Sequence, residues 1–240
     1  MSALTIIQEA ATEIGIEVPS AVFSGSDRTI VEVRTYLNEA ARMVAFDSGH
    51  DWVKLMMLGT FTGDGVSLGF SFPSDYQRML KKAKVWPSAT PFYPLIHYSD
   101  VDQWLGLQVQ QFQPVVGAWT IIGSQMQIRA NGPTSPVASG DTVQFYYITN
   151  KIVTAAGGGS TQAAFTADGD TFVLSERLLK RAFVYAWKKG KRQDYSDALA
   201  DYEDVKSSEI GNDKGTNILI VGRQRVGMGG NFAFPGVLGT

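Results

Sequence analysis

The hydrophobic period changes twice along the chain, and this constrains the fold more than any single motif. Residues 1–52 and 173–213 carry apolar side chains at helical spacing, three or four positions apart. Residues 53–172 form short segments that are aromatic and rich in glycine and proline, and several of them alternate as strands do. The pattern predicts helical parts on both sides of a β-rich region.

The N-terminal part predicts two helices. Gly15 ends the first helix, and a loop over residues 16–27 follows. Thr29 and Glu32 fit a capping box at the start of the second helix, and Gly49 is its expected stop. The apolar stripe of the first helix consists of Leu4, Ile7, Ala11 and Ile14. The stripe of the second consists of Ile30, Val33, Leu37, Ala41 and Val44.

The central region predicts strands. Residues 120–122 and 126–128 flank Gly123-Ser124-Gln125, a pattern typical of a β-hairpin. Residues 141–149 alternate between apolar and polar faces, with the apolar face made by Val143, Phe145 and Tyr147. One short helix is expected to interrupt the region at residues 99–107.

The C-terminal part predicts two more helices and an arm. A broad apolar stripe begins after Ser175 and ends at Gly190, and Asp194 is placed to cap a fourth helix. The stripe consists of Leu178, Leu179, Ala182, Phe183, Ala186 and Trp187. Residues 214–240 contain seven glycines and no acidic residue, which favours an extended arm.

These elements predict an α+β protein. The expected architecture is a four-helix bundle built from N- and C-terminal helix pairs, with an inserted β-rich domain and an extended C-terminal arm. The domain boundaries follow the changes of period: residues 1–52 with 173–213 for the bundle, 53–172 for the insertion, and 214–240 for the arm.

Composition excludes several classes of protein. The net charge of −2 offers no general attraction to phosphates, so a DNA-coating protein is not expected. The absence of cysteine excludes disulfides and thiolate metal sites. Neither a membrane span nor a signal peptide is expected from the hydropathy pattern. Charged residues make up only 18%, which suits a subunit that buries surface against neighbours, although a β-rich chain also carries few charges.

No catalytic constellation is predicted. His50 and His97 lack the spacing of a zinc site and are expected to be ordinary structural residues. Gly222 and Gly227 have P-loop spacing, but Met228 stands where the phosphate-binding lysine is required. A hydrolase nucleophile elbow is not predicted either. The sequence thus predicts no catalytic residue, no metal and no cofactor.

Two charged runs of opposite sign follow one another near the C-terminus. The basic run consists of Arg177, Lys180, Arg181, Lys188, Lys189, Lys191 and Arg192. The acidic run consists of Asp194, Asp197, Asp201, Glu203, Asp204, Glu209 and Asp213. Such runs are usually solvated faces, but a basic and an acidic helix can also pair within a subunit or across subunits. The second interpretation predicts a subunit interface at Lys188, Lys189, Lys191, Arg192, Asp197, Asp201 and Asp204.

The arm carries features of a segment that becomes ordered on a partner. It has a short apolar run, aromatic anchors and basic residues without acids to offset them. The expected partner-binding residues are Ile218, Leu219, Ile220, Val221, Arg223, Arg225, Phe232 and Phe234. A flexible terminus is the alternative.

Several segments, in order, resemble podovirus-type phage adaptor proteins, which connect head and tail. The opening from Ala3 to Phe23, with Pro19-Ser20-Ala21-Val22, resembles the start of that family, as does the second helix with Asp51-Trp52 after it. Residues 72–79, with Pro73, Asp75 and Arg78, resemble a family element of the form Leu-Pro-x-Asp-Phe-x-Arg. Residues 140–147, 164–168 and 174–187 complete the resemblance, which reaches to about residue 210.

The resemblance implies a structural virion protein and not an enzyme. Its expected role is a head-to-tail adaptor in a dodecameric ring, placed at the neck of the particle and assembled in the host cytoplasm. The implied partners are the portal protein, tail or nozzle proteins and other copies of the chain, with genomic DNA passing through the channel without sequence-specific binding. Another neck, nozzle or tail-tube subunit remains an alternative, and a metal-dependent hydrolase using the acidic run is a remote one.

Overall fold

A computed structural model describes residues 1–88, 93–109, 117–130 and 135–213. Over these residues the chain forms five α-helices and eleven strands in three sheets. The helices are α1 (Ala3–Ile14), α2 (Arg28–Arg42), α3 (Val101–Val109), α4 (Glu176–Gly190) and α5 (Ser196–Asp213). The strands are β1 (Met56–Thr62), β2 (Gly69–Ser71), β3 (Tyr76–Met79), β4 (Val85–Pro87), β5 (Ile96–His97), β6 (Ala118–Ile122), β7 (Gln125–Arg129), β8 (Thr142–Thr149), β9 (Val153–Thr154), β10 (Thr161–Gln162) and β11 (Thr171–Phe172).

Helix α4 is central to the helical layer, because α1, α2 and α5 all pack against it. Its broad apolar stripe explains this position, since one face cannot be covered by a single neighbour. The rings of Tyr36 and Trp187 meet edge to face at 5.5 Å between α2 and α4. The rings of Tyr185 and Tyr202 stack at 5.9 Å between α4 and α5.

Capping residues account for one end of α1 and one end of α4, but the cap predicted for α2 is wrong. The predicted end of α1 is confirmed at Gly15, which takes the left-handed conformation with φ of 73°. Ser175 caps α4 by accepting a hydrogen bond from the amide of Leu178. The capping box of Thr29 and Glu32 is wrong: Asp27 is the N-cap of α2, and the carboxylate of Glu32 is bound by basic side chains instead.

Two of the sheets pack face to face. In the first, β8 pairs with β1 on one side and with β3 and β4 on the other, all antiparallel. The second has the order β2-β7-β6-β5, in which only β5 and β6 are parallel. Their shared core consists of Phe61, Val85, Leu95, Trp119, Met126, Ile128, Val137, Val143, Phe145 and Tyr147. Helix α3 covers the other face of the second sheet through Trp104 and Leu107 against Ala118.

The predicted hairpin and the predicted long strand are confirmed. Ile122 of β6 is in register with Gln125 of β7, so Gly123 and Ser124 form a two-residue turn, and Gly123 has φ of 61°. In β8 the expected apolar positions are buried and the alternate ones, Gln144 and Tyr146, are exposed.

The predicted four-helix bundle with an inserted β-rich domain is wrong, although the chain is α+β. The helices share their core with residues of the supposed insertion: Ile148, at the end of β8, Ile152, and Phe172 in the third sheet, β10-β9-β11. The amide of Ala3 also donates to the carbonyl of Asp170, which ties the start of α1 to that sheet. Helical periodicity showed which faces are apolar but not that strands would cover part of them. The predicted arm, residues 214–240, lies outside the described residues.

Candidate assembly surface

A basic cluster surrounds the C-terminal end of α4 and contains four predicted interface residues: Lys188, Lys189, Lys191 and Arg192. Cations are favourable at this end because the helix dipole is negative there. Arg192 follows the helix with φ of 56°, the one non-glycine residue in the described part with a positive φ. Lys189, Lys191 and Arg192 are exposed, and Lys188 is half-buried.

Two members of the cluster already have partners. Lys191 pairs with Glu32 of α2 and lies over the ring of Trp187, at 5.0 Å from its centroid. The ammonium of Lys191, followed by the guanidinium of Arg28, holds the pKa of Glu32 below its ordinary value. Lys189 lies over the ring of Tyr185, whose hydroxyl raises the pKa of the lysine. Lys188 and Arg192 make no ion pair within the described part of the chain.

Three predicted acidic residues lie on one exposed stripe of α5. Asp197, Asp201 and Asp204 are four and three positions apart, so they project from the same side of the helix. Over the described residues, Asp197 and Asp204 have no ion pair, and Asp201 pairs with Arg181 at 3.3 Å. Over residues 1–213, as far as the structure describes them, the stripe is therefore largely unneutralised.

Pairing between α4 and α5 within the subunit is limited. The bases of the first half of α4 pair mostly with α1 instead: Lys180 is 3.3 Å from both Glu9 and Glu13, and Arg181 is 3.0 Å from Glu13. These partners on α1 could not be predicted from residue spacing. The cluster at the end of α4 and the stripe on α5 thus remain as two exposed surfaces of opposite sign.

An open groove of about 1080 Å³ lies beside the basic cluster, between α2 and α4. It is lined by apolar and charged side chains, among them Arg42, Met43, Phe46, Asp47 and Lys189. Three of these belong to a π-helical turn, Met43–Asp47, which continues α2. Such wide turns re-aim side chains and are frequent at functional sites. The sequence offered no signal for this turn, so the groove was not predicted.

The aspartates and the arginine of the resembling segments join parts of the fold. Arg78 donates to the carboxylate of Asp51 at 2.6 Å and to the carbonyl of His50 at 3.2 Å. Asp75 accepts from the hydroxyl of Tyr147 at 2.9 Å. Burial, reinforced by this hydrogen bond, raises the pKa of Tyr147 to about 12. The carboxylate of Asp168 accepts from the amides of Val22 and Phe23, which fixes the loop after α1.

The two histidines make different contacts. The Nε2 atom of His50 is 2.9 Å from Asp213 at the end of α5, and its ring meets Trp52 edge-on at 4.8 Å. The ring of His97 stacks on Trp119 at 4.1 Å, and burial lowers the pKa of His97. In the ranges that the structure describes, no group of three or more histidine or acidic side chains is arranged to hold a metal ion.

Although no nucleophile elbow was predicted, the segment Gly65-Val66-Ser67-Leu68-Gly69 has GxSxG spacing. Its context differs from that of a hydrolase nucleophile, because the serine lies in a turn that leads into β2 and not into a helix. The hydroxyl of Ser67 donates to the carboxylate of Asp64, and this bond lowers the pKa of Asp64 to about 2. The arrangement is an aspartate-capped turn.

The predicted partner-binding residues of the arm, from Ile218 to Phe234, lie outside the described residues. Among the helices that the structure does describe, none is long and apolar enough to cross a membrane. No model of a known protein family matches the chain, and no curated protein matches its sequence.

Proposed function

We propose that the chain is a structural subunit of a tailed-phage particle, a head-to-tail adaptor that forms a ring between portal and tail. The observation that carries the proposal is the pair of exposed surfaces of opposite charge on separate elements. The basic cluster lies at the end of α4, and the acidic stripe lies along α5. A closed ring needs two different, complementary faces on each subunit, because one face meets a different face of the next, and surfaces of opposite charge can supply them.

The resemblance supports the same role through its placement in the fold. Asp51, Asp75, Arg78 and Asp168 come from separate resembling segments, and each holds a joint between elements. Proteins of one fold tend to keep the order and spacing of residues that join its elements. The resemblance to the adaptor family likewise consists of short segments in a shared order and spacing. The portal would supply the template on which the ring closes, and the arm would be a docking element for it.

Charge exchange between the two surfaces tests the proposal. The first variant carries Lys188→Glu and Arg192→Glu, the second Asp197→Lys and Asp204→Lys, and the third all four changes. Each substituted residue lacks an ion pair in the described part, so the fold is expected to survive. Exposed pairs contribute only about 0–1 kcal/mol each, so two changes at every interface are needed for a clear effect.

Assembly with the portal protein from the same genome is measured by light scattering and sedimentation at low salt. We expect the first two variants to lose ring formation and the third to regain it, because complementarity is restored. Lys54→Glu with Lys82→Glu alters the charge equally at other exposed positions and serves as the control. If the first variant assembles normally, these charges form only a solvated face and no interface. If the wild-type chain does not bind the portal, the adaptor role is refuted.

A further inference from the structure

Strand β1 has an open edge. In the described part of the chain it hydrogen-bonds only with β8. Gly63, just beyond β1, donates to the carbonyl of Asp141 at 2.8 Å in the continuation of this ladder. Bonded and non-bonded positions alternate along an antiparallel pair. Counting back from Gly63, the backbone groups of Leu58 and Thr60 therefore point away from β8, toward the open edge.

The sheet face beside this edge is apolar and exposed. Leu58 is 50% exposed, and its register partner Tyr146 on β8 is 56% exposed. Trp86 on β4 continues the patch and is 45% exposed. At the other end of the same face, Ile148 is buried by the helical layer. An uncovered apolar strand edge invites uncontrolled pairing, so an additional segment of chain is expected to cover it.

The end of α5 is fixed beside the start of β1. The carboxylate of Asp213 accepts from the amide of Val53 at 3.0 Å and contacts the ring of His50 at 2.9 Å. The described part of the chain therefore ends, at Asp213, beside Val53, which lies three positions before the start of β1. Five residues of extended chain reach roughly 16 Å. The stretch from Val53 to Leu58 begins with a 3-10 turn, Val53–Leu55, and is therefore shorter than five extended residues. An extended chain from Asp213 to residue 218 is thus long enough to reach Leu58.

We propose that residues 218–221 of the same chain pair in parallel with the open edge of β1, as an added strand. Their sequence, Ile-Leu-Ile-Val, suits a strand, and alternate side chains would cover the patch around Leu58. The proposed register places Ile218 beside Leu58 and Ile220 beside Thr60, both within reach of an extended chain from Asp213. This pairing fixes the root of the arm and leaves residues 223–234 for a partner. It does not depend on the adaptor role, since it needs no second molecule.

The absence of native cysteine allows a direct test on the full chain. Thr60→Cys is combined in turn with cysteine at positions 218, 219, 220 and 221, and disulfide formation is followed in dilute monomer by non-reducing gel and mass spectrometry. Neighbouring positions on paired strands lie within disulfide range. We expect Thr60→Cys with Ile220→Cys to close within one molecule about 100-fold faster than the control pair, because strand pairing would hold its two thiols side by side, whereas the thiols of the control pair share only the tether.

The control pairs Ile220→Cys with Ser71→Cys, an exposed position on β2, which is an edge strand of the other sheet. A second measurement uses hydrogen exchange in the full chain. Leu219→Pro with Val221→Pro removes the amides that the added strand would donate to the carbonyls of Leu58 and Thr60, and exchange at the amides of Leu58 and Thr60 should accelerate by about 10-fold or more. Closure no faster than in the control, cross-links only between molecules, or unchanged exchange would each overturn the pairing. No portal is present, so none of these results bears on the adaptor role.

Discussion

The ring of Phe145 lies directly against the backbone of Gly59, its register partner on β1: a Cβ on Gly59 would stand 2.5 Å from Cζ of that ring. Phe145 is fully buried in the core between the two sheets, so its ring can move only by displacing other core side chains. We expect Gly59→Ala to lower the free energy of unfolding by about 1–3 kcal/mol, the usual cost of overpacking. Urea denaturation followed by tryptophan fluorescence measures the change.

Gly106 in α3 provides the matched control for that substitution. A Cβ there meets nothing within 4 Å, and the position is helical. Gly106→Ala should be neutral or stabilising by up to about 1 kcal/mol, because alanine favours the helix. Equal losses in both variants would contradict the close contact between Gly59 and Phe145.

Asp170 predicts a specific acid sensitivity. Burial alone would raise its pKa, but hydrogen bonds from the amides of Thr166, Ala167 and Ala156 hold that pKa below its ordinary value. A carboxyl whose pKa is lower in the folded state stabilises the fold above the unfolded value near 3.9, and this contribution is lost as pH falls through the folded value. The free energy of unfolding should therefore drop steeply below about pH 4.

Asp170→Asn tests the origin of that drop. The variant should lose about 2–3 kcal/mol at pH 7, because an amide nitrogen replaces one acceptor oxygen facing these donors. It should also show a shallower fall in acid, measured by thermal unfolding between pH 3 and pH 7. Asp197→Asn, on the exposed stripe of α5, is the control and should behave as wild type. Parallel acid profiles for Asp170→Asn and wild type would contradict the assignment.

Substitutions of Arg78 and Asp51 should have coupled effects on the free energy of unfolding. The guanidinium of Arg78 reaches both the Asp51 carboxylate and the His50 carbonyl, a geometry that a single ammonium cannot reproduce. We expect Arg78→Met to cost about 1–3 kcal/mol and Arg78→Lys to recover only part of it. In a double-mutant cycle, Arg78→Met with Asp51→Asn should cost less than the sum of the single changes. Strict additivity would argue against the pair.

Arg129 should be replaceable at no cost. It is 1% exposed, and its three guanidinium nitrogens have no hydrogen-bond partner over the described residues. Within those residues, the guanidinium is stabilised by stacking on the ring of Trp104, with Cζ of Arg129 at 4.2 Å from the ring centroid. Because buried donors without acceptors cost about 1–3 kcal/mol, Arg129→Met should leave stability unchanged or raise it by up to about 2 kcal/mol. A clear loss in chemical denaturation would mean that the guanidinium has a partner.

Local elements could be predicted because their signals are local. The end of α1 at Gly15 and the alternation of β8 depend on neighbouring residues, and both occur as expected. The capping box at Thr29 and Glu32 failed because α2 begins at Arg28, after the N-cap Asp27, and because two basic residues bind the glutamate: its neighbour Arg28 and Lys191, which is distant in sequence. Sequence spacing carries no information about that competitor.

The architecture and the surface depend on contacts that spacing does not encode. The apolar stripes of α1 and α2 were recognised, but their burial against Ile152 and Phe172 was not. The predicted charges at Lys189 and Asp197 are exposed, whereas the pairing of Lys180 with α1 was not predicted. The π-helical turn that lines the groove has no sequence signature at all.

The central position of α4 has a consequence for synthesis of the chain. Lys180 and Glu9, which hold α4 against α1, are 171 positions apart, and α2 also packs on α4. At about 5–20 residues per second, the first two helices therefore wait roughly 10 s or more on the ribosome before their main partner exists. During that time their apolar stripes are accessible to chaperones. The helical layer can therefore pack only after α4 has been made, so intermediates in which α1 and α2 are already buried against α4 do not exist before that point in translation.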